Sequence, residues 1–252
     1  MKMMNQVTIA ETGDSAWKPL YKVGGISALL VVAMIPIQAI IFLGWPPPGF
    51  LPNISNVSNW FTLFQENWFL GLLELDLLLI ADYAITGLVF LSLYVALKQA
   101  NKTFTAIALT LCLVGIADYI ASNPAFAMLT LSDQYATAGT DAQRSMFLAA
   151  GQALLAMYQG SPFFVSFVLQ SVAALIISVV MLRSNIFSKA TAYVGILGSA
   201  TALLIGPPWP FFEPAIGALL SLISVVVFAI WYILVARILF QLGSGVLRQQ
   251  AQ

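Results

Sequence analysis

The chain has 252 residues, of which 60% are hydrophobic and only 8% are charged, and its formal net charge is zero. A water-soluble domain carries about 25% charged residues, so this composition indicates a protein of the lipid bilayer. The lack of a basic run excludes nucleic acid as a partner. Histidine, the commonest ligand in catalytic zinc sites, is absent, so zinc-dependent intramembrane hydrolases are disfavoured and we expect no metal or cofactor.

Apolar segments of membrane-spanning length recur along the chain. After a polar tail, residues 1–19, we predict six spans at about 24–45, 68–97, 103–122, 163–182, 190–205 and 215–235. Since about 20 apolar residues cross a bilayer as a helix, the predicted fold class is all-α. The protein is expected to be a polytopic membrane helix bundle over residues 20–240, followed by a second tail at 241–252.

The segment 125–160, between the third and fourth spans, mixes polar and apolar residues. We predict one or two amphipathic helices there, lying on or dipping into the outer face of the membrane. Ser132 and Asp133 are residues of the kind that cap a helix start, and residues 141–158 are compatible with a helix. Residues 53–66 carry Trp60, Phe61 and Phe64, which predict a loop or short helix at the interface.

Basic residues fall almost entirely on one side of this arrangement: Lys2, Lys18, Lys22, Lys98, Lys102, Arg183, Lys189, Arg237 and Arg248. Only Arg144 falls on the other side. Cytoplasmic loops of membrane proteins carry the excess of lysine and arginine, so both termini are predicted to be cytoplasmic.

The tetrapeptide Ile-Ala-Asp-Tyr occurs twice, at 80–83 and at 116–119. Each copy places an aspartate, Asp82 or Asp118, inside a span, where an acid is costly and is a functional hypothesis by default. Asp82 precedes Lys98 by 16 residues, and Asp118 follows Lys102 by 16 residues. At 1.5 Å per residue, each lies about 24 Å from the cytoplasmic boundary of a core about 30 Å thick. The two aspartates are therefore predicted to be level, on adjacent antiparallel helices.

No basic residue lies inside a predicted span, so these acids have no base beside them. Two neighbouring carboxylates in a low dielectric cannot easily both be charged. Three arrangements stay open: a proton shared with Tyr83 or Tyr119 as donors, a bound cation, or a water-filled outer vestibule. Glu74 and Asp76, further out, are candidate vestibule acids, and Arg144 could pair with either. The alternative is that all these acids only hold helices together by hydrogen bonds.

Several short motifs point to a family: Leu-Tyr-Lys-Val-Gly-Gly at 20–25, Trp-Pro-Pro-Pro at 45–48, Ser-Asn-Pro-Ala-Phe at 122–126, Gly-Gln-Ala-Leu-Leu at 151–155 and Arg-Ser-Asn-Ile-Phe-Ser-Lys at 183–189. Together they resemble the bacterial multi-pass membrane proteins known as domain of unknown function 4386, over most of residues 20–240. The resemblance implies a six-helix protein of the bacterial inner membrane. It transfers no activity and no site residue.

Three functions are compatible with these observations. The first is transport of a small solute, with Asp82 and Asp118 as a proton or cation site. The second is a non-catalytic assembly, lipid-binding or sensor protein, with residues 125–160 as its working surface. Its partners would be the bilayer and, as an open alternative, a second copy of the chain. The small molecule or ion that either protein would bind is not predicted.

The third and remote alternative is an intramembrane aspartyl hydrolase, for which two aspartates on adjacent helices are the minimum. Here Asp82-Tyr83 reverses the Tyr-Asp order of that class, and residues 115–118 read Gly-Ile-Ala-Asp where the class has Gly-x-Gly-Asp. Residues 214–216, Pro-Ala-Ile, approach its Pro-Ala-Leu element. We therefore predict no catalytic residue, and an enzyme is disfavoured.

Overall fold

The computed structural model describes residues 16–42, 56–158, 161–205 and 214–245. Its helices are α1 (Lys18–Phe42), α2 (Val57–Glu66), α3 (Trp68–Glu74), α4 (Leu77–Ser122), α5 (Ala125–Ala136), α6 (Asp141–Tyr158), α7 (Ser161–Met181), α8 (Lys189–Ile205) and α9 (Pro214–Ser244). The all-α prediction is thereby confirmed for these residues. Most of both predicted tails and the Trp-Pro-Pro-Pro motif at 45–48 lie outside the described residues.

Four helical stretches are long and apolar enough to cross a membrane by length and composition: Lys18–Gln38, Leu77–Ala136, Asp141–Met181 and Leu219–Ser244. The third of these stretches runs across residues outside the described ranges. Since about 20 apolar residues suffice for one crossing, these stretches support a membrane location.

The chain reverses direction at a single residue inside α4. Asn101 has φ −162° and ψ 96°, outside the helical region, and its Oδ1 accepts a hydrogen bond from the Phe104 N–H at 3.1 Å. Asparagine is favoured at such a position because its side chain satisfies an otherwise unpaired N–H at a helix start. The spans predicted at 68–97 and 103–122 leave a five-residue turn at 98–102. In the structure Lys98 and Lys102 are helical, and only Asn101 leaves the helical conformation.

The predicted start of the second span at residue 68 is wrong. Helix α3 ends at Glu74, and α4 begins only at Leu77. Between them Asp76 has φ 63°, in the left-handed region that aspartate tolerates better than most residues. The Asn123 side chain donates a hydrogen bond to the Leu75 carbonyl at 3.0 Å, so this carbonyl in the break between α3 and α4 has a hydrogen-bond partner.

Ser132 and Asp133 do not cap a helix start, because both lie within α5. Ser132 is fully buried, and its hydroxyl donates to the Phe61 carbonyl of α2 at 3.0 Å. The next helix starts instead at Asp141, where Thr140 Oγ1 accepts from the Gln143 N–H at 3.2 Å. Ser132, which the sequence predicted as a helix-capping residue, instead forms a buried tertiary hydrogen bond.

Residue contacts divide the chain into two compact units. Unit 1 comprises residues 1–33, 84–113 and 168–252, and unit 2 comprises residues 34–83 and 114–167. In unit 1 the largest fully buried side chains include Phe90, Leu93, Leu97, Ile177, Met181, Trp231 and Leu239. There α1 comes close to α4, since the Ser92 hydroxyl donates to the Leu20 carbonyl at 3.0 Å.

Unit 2 has its own apolar core, in which α2 and α3 pack with α5 and α6. Its buried members are Val57, Trp60, Phe61, Leu63, Phe64, Leu72, Leu75, Ala125, Met128 and Leu155. The Gln65 amide adds a polar tie by donating to Ser132 Oγ at 2.8 Å. We call these four helices the helical cap. The described parts of the interfacial segment expected at 53–66 and of the amphipathic segment expected at 125–160 therefore form one packed cluster.

Candidate functional site

Tyr119 is the centre of the candidate site in unit 2. Its side chain is 1% exposed, and its hydroxyl donates a hydrogen bond to Asp76 Oδ2 at 3.2 Å. The Tyr119 ring meets the Tyr83 ring edge to face, with centroids 4.4 Å apart. This contact shows that the two halves of α4 run back along each other. The structure thus brings together Asp76, Tyr83 and Tyr119 from the set predicted by sequence.

Asp82 and Asp118 are not paired with each other. Each precedes its tyrosine by one residue, which is a rotation of about 100° around a helix. Because the tyrosines meet and the helices are antiparallel, both aspartates lie on the same side of the hairpin instead of facing each other. No hydrogen bond joins them in the described part of unit 2. Asp82 Oδ1 and Asp118 Oδ2 are both buried and have no hydrogen-bond partner.

Helix α7 packs against the second half of α4 near Asp118. The Ser166 hydroxyl donates to the Gly115 carbonyl at 2.7 Å, and both groups are buried. Gly115 and Asp118 are three residues apart on one helix and therefore share a face. Phe163 of α7 also contacts the Tyr119 ring, at a centroid distance of 6.4 Å. Helix α7 therefore covers the helix face at Gly115, while Asp118 is half-buried and Val114, four residues before it, is 51% exposed.

The two acids expected near the outer interface differ in their partners. Asp76 is 7% exposed and hydrogen-bonded, whereas Glu74 Oε1 is buried without a partner. Asp76 lies just before the candidate membrane-spanning stretch that begins at Leu77. Burial raises its pKa to about 6, although the Tyr119 hydrogen bond lowers it. Burial, and next the charge of Asp76, raise the pKa of Glu74.

Arg144 does not pair with either of these acids. Its Nη1 lies 3.9 Å from Asp141 Oδ1 in the first turn of α6. The Arg144 side chain is 52% exposed and that of Asp141 is fully exposed, so this surface pair contributes little to stability. Within the described residues, Glu74 and Asp76 therefore form no ion pair, since Arg144, the base expected on the outer side, pairs with Asp141.

Acidic and basic residues are segregated between the two units. The acidic residues within the described ranges all belong to unit 2: Glu66, Glu74, Asp76, Asp82, Asp118, Asp133 and Asp141. The basic residues there, Arg144 apart, belong to unit 1: Lys18, Lys22, Lys98, Lys102, Arg183, Lys189 and Arg237. The buried acids of unit 2 are therefore not neutralised by ion pairs within their own unit.

No group of three or more histidine, cysteine or acidic side chains that could hold a metal ion occurs in the described ranges. An aspartyl hydrolase, whose two carboxylates share a proton, gains no support from Asp82 and Asp118, which share no hydrogen bond. What the arrangement offers is separate carboxylates in an apolar setting. Such groups are suited to taking up a proton or a single cation.

Two polar residues of this unit were missed by sequence reasoning. Asn123 ties the end of α4 to the Leu75 carbonyl, and Gln38 in α1 has a buried Nε2 without a hydrogen-bond partner. The Asn-Pro pair that ends α4 indicated only a helix end. A single amide within an apolar span was the available signal for Gln38.

Comparisons of the chain with protein-family models, with curated proteins and with solved structures find no match. The fold and the candidate spans define the class, a helical protein with helices that could cross a membrane. The resemblance to domain of unknown function 4386 stays a prediction.

Proposed function

We propose that this protein is a six-span integral membrane protein that transports a small solute and takes up a proton or cation at Asp82 and Asp118. The span count rests on two features of the helices. Asn101 divides α4 into two halves, each long enough to cross a membrane, and α8 adds an apolar helix of 17 residues. With six spans, the basic residues other than Arg144 lie on one side, which favours cytoplasmic termini in an inner membrane.

The observation that carries the transport proposal is the set of buried carboxylate oxygens without partners. Glu74 Oε1, Asp82 Oδ1 and Asp118 Oδ2 all belong to unit 2, where the basic residue described, Arg144, is exposed and bonded elsewhere. A carboxylate in an apolar environment is costly unless it binds a proton or a cation. Helix bundles use such acids as proton relays, and the tyrosines beside them can donate hydrogen bonds.

Proton flux into proteoliposomes tests this proposal. The purified protein is reconstituted in vesicles that contain the pH dye pyranine, and an inward proton gradient is imposed with and without a Na⁺ or K⁺ gradient. We expect Asp82→Asn and Asp118→Asn to lower the flux to that of protein-free vesicles, because an amide is uncharged and does not take up and release a proton as a carboxylate does. Asp141→Asn, at a fully exposed acid, serves as the matched control and should leave the flux unchanged.

Infrared difference spectra recorded across a pH step separate proton uptake from transport. The wild-type protein should show the carbonyl band of a protonated carboxyl group, and Asp82→Asn or Asp118→Asn should remove part of it. Unchanged flux and unchanged spectra in both variants would overturn the proposal.

The second candidate, a non-catalytic assembly protein, is favoured by the packed helical cap. Two large apolar side chains of the cap, Phe126 of α5 and Met146 of α6, are each 59% exposed. Exposed apolar side chains on an ordered surface are typical of sites of association. A second copy of the chain is the partner that this candidate predicts.

The molecular mass in detergent, measured by light scattering, tests this second candidate. We expect Phe126→Arg and Met146→Arg to convert an oligomer to a monomer, while Gln143→Arg on the exposed surface of α6 does not. A wild-type protein that is already monomeric in lipid nanodiscs would contradict it.

A further inference from the structure

A cavity of about 170 Å³, lined by both polar and apolar side chains, lies in unit 1, where several helices begin or end. Lys18 is the first residue of α1, and Gly245 directly follows the last residue of α9. The polar side chains of the lining come from three of the helices: Lys18 and Tyr21 of α1, Lys98 and Gln99 of α4, and Gln241 of α9. The ends of spanning helices lie at the level of the lipid headgroups, so this cavity belongs to the membrane interface.

The cavity carries positive charge that the described part of the chain does not neutralise. Within the ranges 16–33, 84–113, 168–205 and 214–245, unit 1 contains no acidic residue. No carboxylate there comes within ion-pair distance of Lys18 or Lys98. Lys189, by contrast, donates a hydrogen bond to the Leu182 carbonyl just beyond the end of α7. Two ammonium groups on one cavity therefore attract an anion.

Lys98 is held in place by an aromatic ring. Its Nζ lies 5.1 Å from the centre of the Trp17 ring, within the range of a cation–π contact. Tryptophan is enriched at membrane interfaces, where its ring sits among the headgroups. The Lys98 side chain is half-buried and Tyr21 is 7% exposed, whereas Lys18 and Gln99 are exposed, so the cavity is packed on one side and open on the other.

We propose that this cavity binds a phosphate group, supplied either by an acidic phospholipid headgroup or by a soluble phosphate. Two ammonium groups and the amides of Gln99 and Gln241 provide the donors that phosphate oxygens require. The volume admits roughly five water molecules, which is enough for a phosphate group. Basic pockets between membrane helices bind acidic headgroups in this way.

A simpler role for the lysines is to neutralise the carbonyl end of α9. Lys18 lies against Gly245, and a positive charge at a helix C-terminus is favourable. This role requires no ligand, and it predicts that loss of Lys18 alters stability without altering the binding of any phosphate.

Calorimetric titration of the full-length protein in neutral detergent tests the proposal. The probes are dioctanoyl phosphatidylglycerol, dioctanoyl phosphatidylcholine and inorganic phosphate. We expect the wild-type protein to bind phosphatidylglycerol in preference to phosphatidylcholine, with an affinity that falls as the salt concentration rises. The double variant Lys18→Gln with Lys98→Gln should bind phosphatidylglycerol about thirtyfold more weakly, since each lysine contributes to the attraction of an anionic headgroup.

Two further variants keep the result interpretable. Lys102→Gln removes a base of unit 1 that does not line the cavity and should leave the affinity unchanged. Lys18→Arg with Lys98→Arg preserves both charges and should bind phosphatidylglycerol like the wild type. This variant tests the role of the charges even where the glutamine variant is poorly folded. Competition by inorganic phosphate at equal affinity identifies a soluble phosphate as the source, and weak competition identifies the lipid. Equal affinity of the wild-type and glutamine variants, or equal binding of phosphatidylcholine, would overturn the proposal.

Discussion

Replacing Gly24 by alanine is expected to lower the free energy of unfolding by about 1–3 kcal/mol, the usual range for overpacking a well-packed interior. A Cβ atom at Gly24 would lie 2.2 Å from Ser92 Oγ and 2.5 Å from Ser92 Cβ. Ser92 has no room to move, because it is fully buried. Its hydroxyl is also held by the carbonyls of Leu20 at 3.0 Å and Leu88 at 2.8 Å. The clash must therefore push α1 away from α4.

A compensating change distinguishes this clash from a general effect of substitution. Ser92→Gly removes the two closest atoms that a Cβ at Gly24 would meet and leaves Leu239 Cδ1 at 3.2 Å. Gly24→Ala should therefore be tolerated better in the Ser92→Gly background than in the wild type. Gly139→Ala is the matched control, since its nearest neighbour would be Gln143 Oε1 at 3.9 Å. Denaturant unfolding in mixed micelles measures the wild type and the four variants, the double variant included. A loss at Gly24 no larger than that at Gly139 would contradict the close contact.

Substitutions of Asp76 should separate its backbone role from its charge. Alanine at this position should be the least stable variant, because it loses the hydrogen bond from Tyr119 and costs about 1–2 kcal/mol in the left-handed conformation. Glycine loses the same hydrogen bond but adopts a φ of 63° without strain. Asparagine keeps a hydrogen-bonding partner for Tyr119 and tolerates this backbone. We expect the order asparagine, glycine, alanine in the midpoint of thermal unfolding.

The same residue predicts a dependence of stability on pH. The folded-state pKa of about 6 lies above the ordinary value of 3.8, so the folded state binds more protons between these two values. The contribution of Asp76 to stability is therefore largest below the lower value, falls as the pH rises through about 6, and is constant above it. The full change is on the order of 3 kcal/mol.

Asp76→Asn should remove this change and should be more stable than the wild type at neutral pH. Glu74, whose pKa is also raised, contributes with the same sign, so the informative quantity is the difference between the two proteins at each pH. Glu74→Gln, which leaves Asp76 in place, should retain most of the pH dependence. A difference between wild type and Asp76→Asn that does not vary with pH would contradict the assignment.

Helix positions were predicted well wherever hydropathy and proline set them. The span predicted at 163–182 is α7 (Ser161–Met181), and the span predicted at 190–205 is α8 (Lys189–Ile205). Pro214 begins α9, as expected of a residue whose missing N–H is not needed in the first turn. These features depend on local composition and length, which the sequence contains directly. The equal spacing of the two Ile-Ala-Asp-Tyr copies from Lys98 and Lys102 predicted that the copies are level on adjacent antiparallel helices, and the contact between the Tyr83 and Tyr119 rings agrees with that prediction.

Only the tertiary structure decided which residues of those copies touch. Counting residues along a helix predicts how far each residue lies from the turn. The rotation of each helix that turns Tyr83 and Tyr119 towards each other comes from packing. That rotation leaves the carboxylates of Asp82 and Asp118 on the same side of the hairpin without a hydrogen bond between them, each with an unpartnered buried oxygen. The break at Asp76 was equally hidden, because its left-handed backbone is stabilised by Tyr119 and by the contact of Asn123 with Leu75, both distant in sequence. The amino-acid sequence alone predicted an all-helical chain with apolar stretches long enough to cross a membrane, and it placed Asp82 and Asp118 within such a stretch. Side-chain contacts between residues distant in sequence decided which side of the hairpin the acids lie on and which of them form hydrogen bonds.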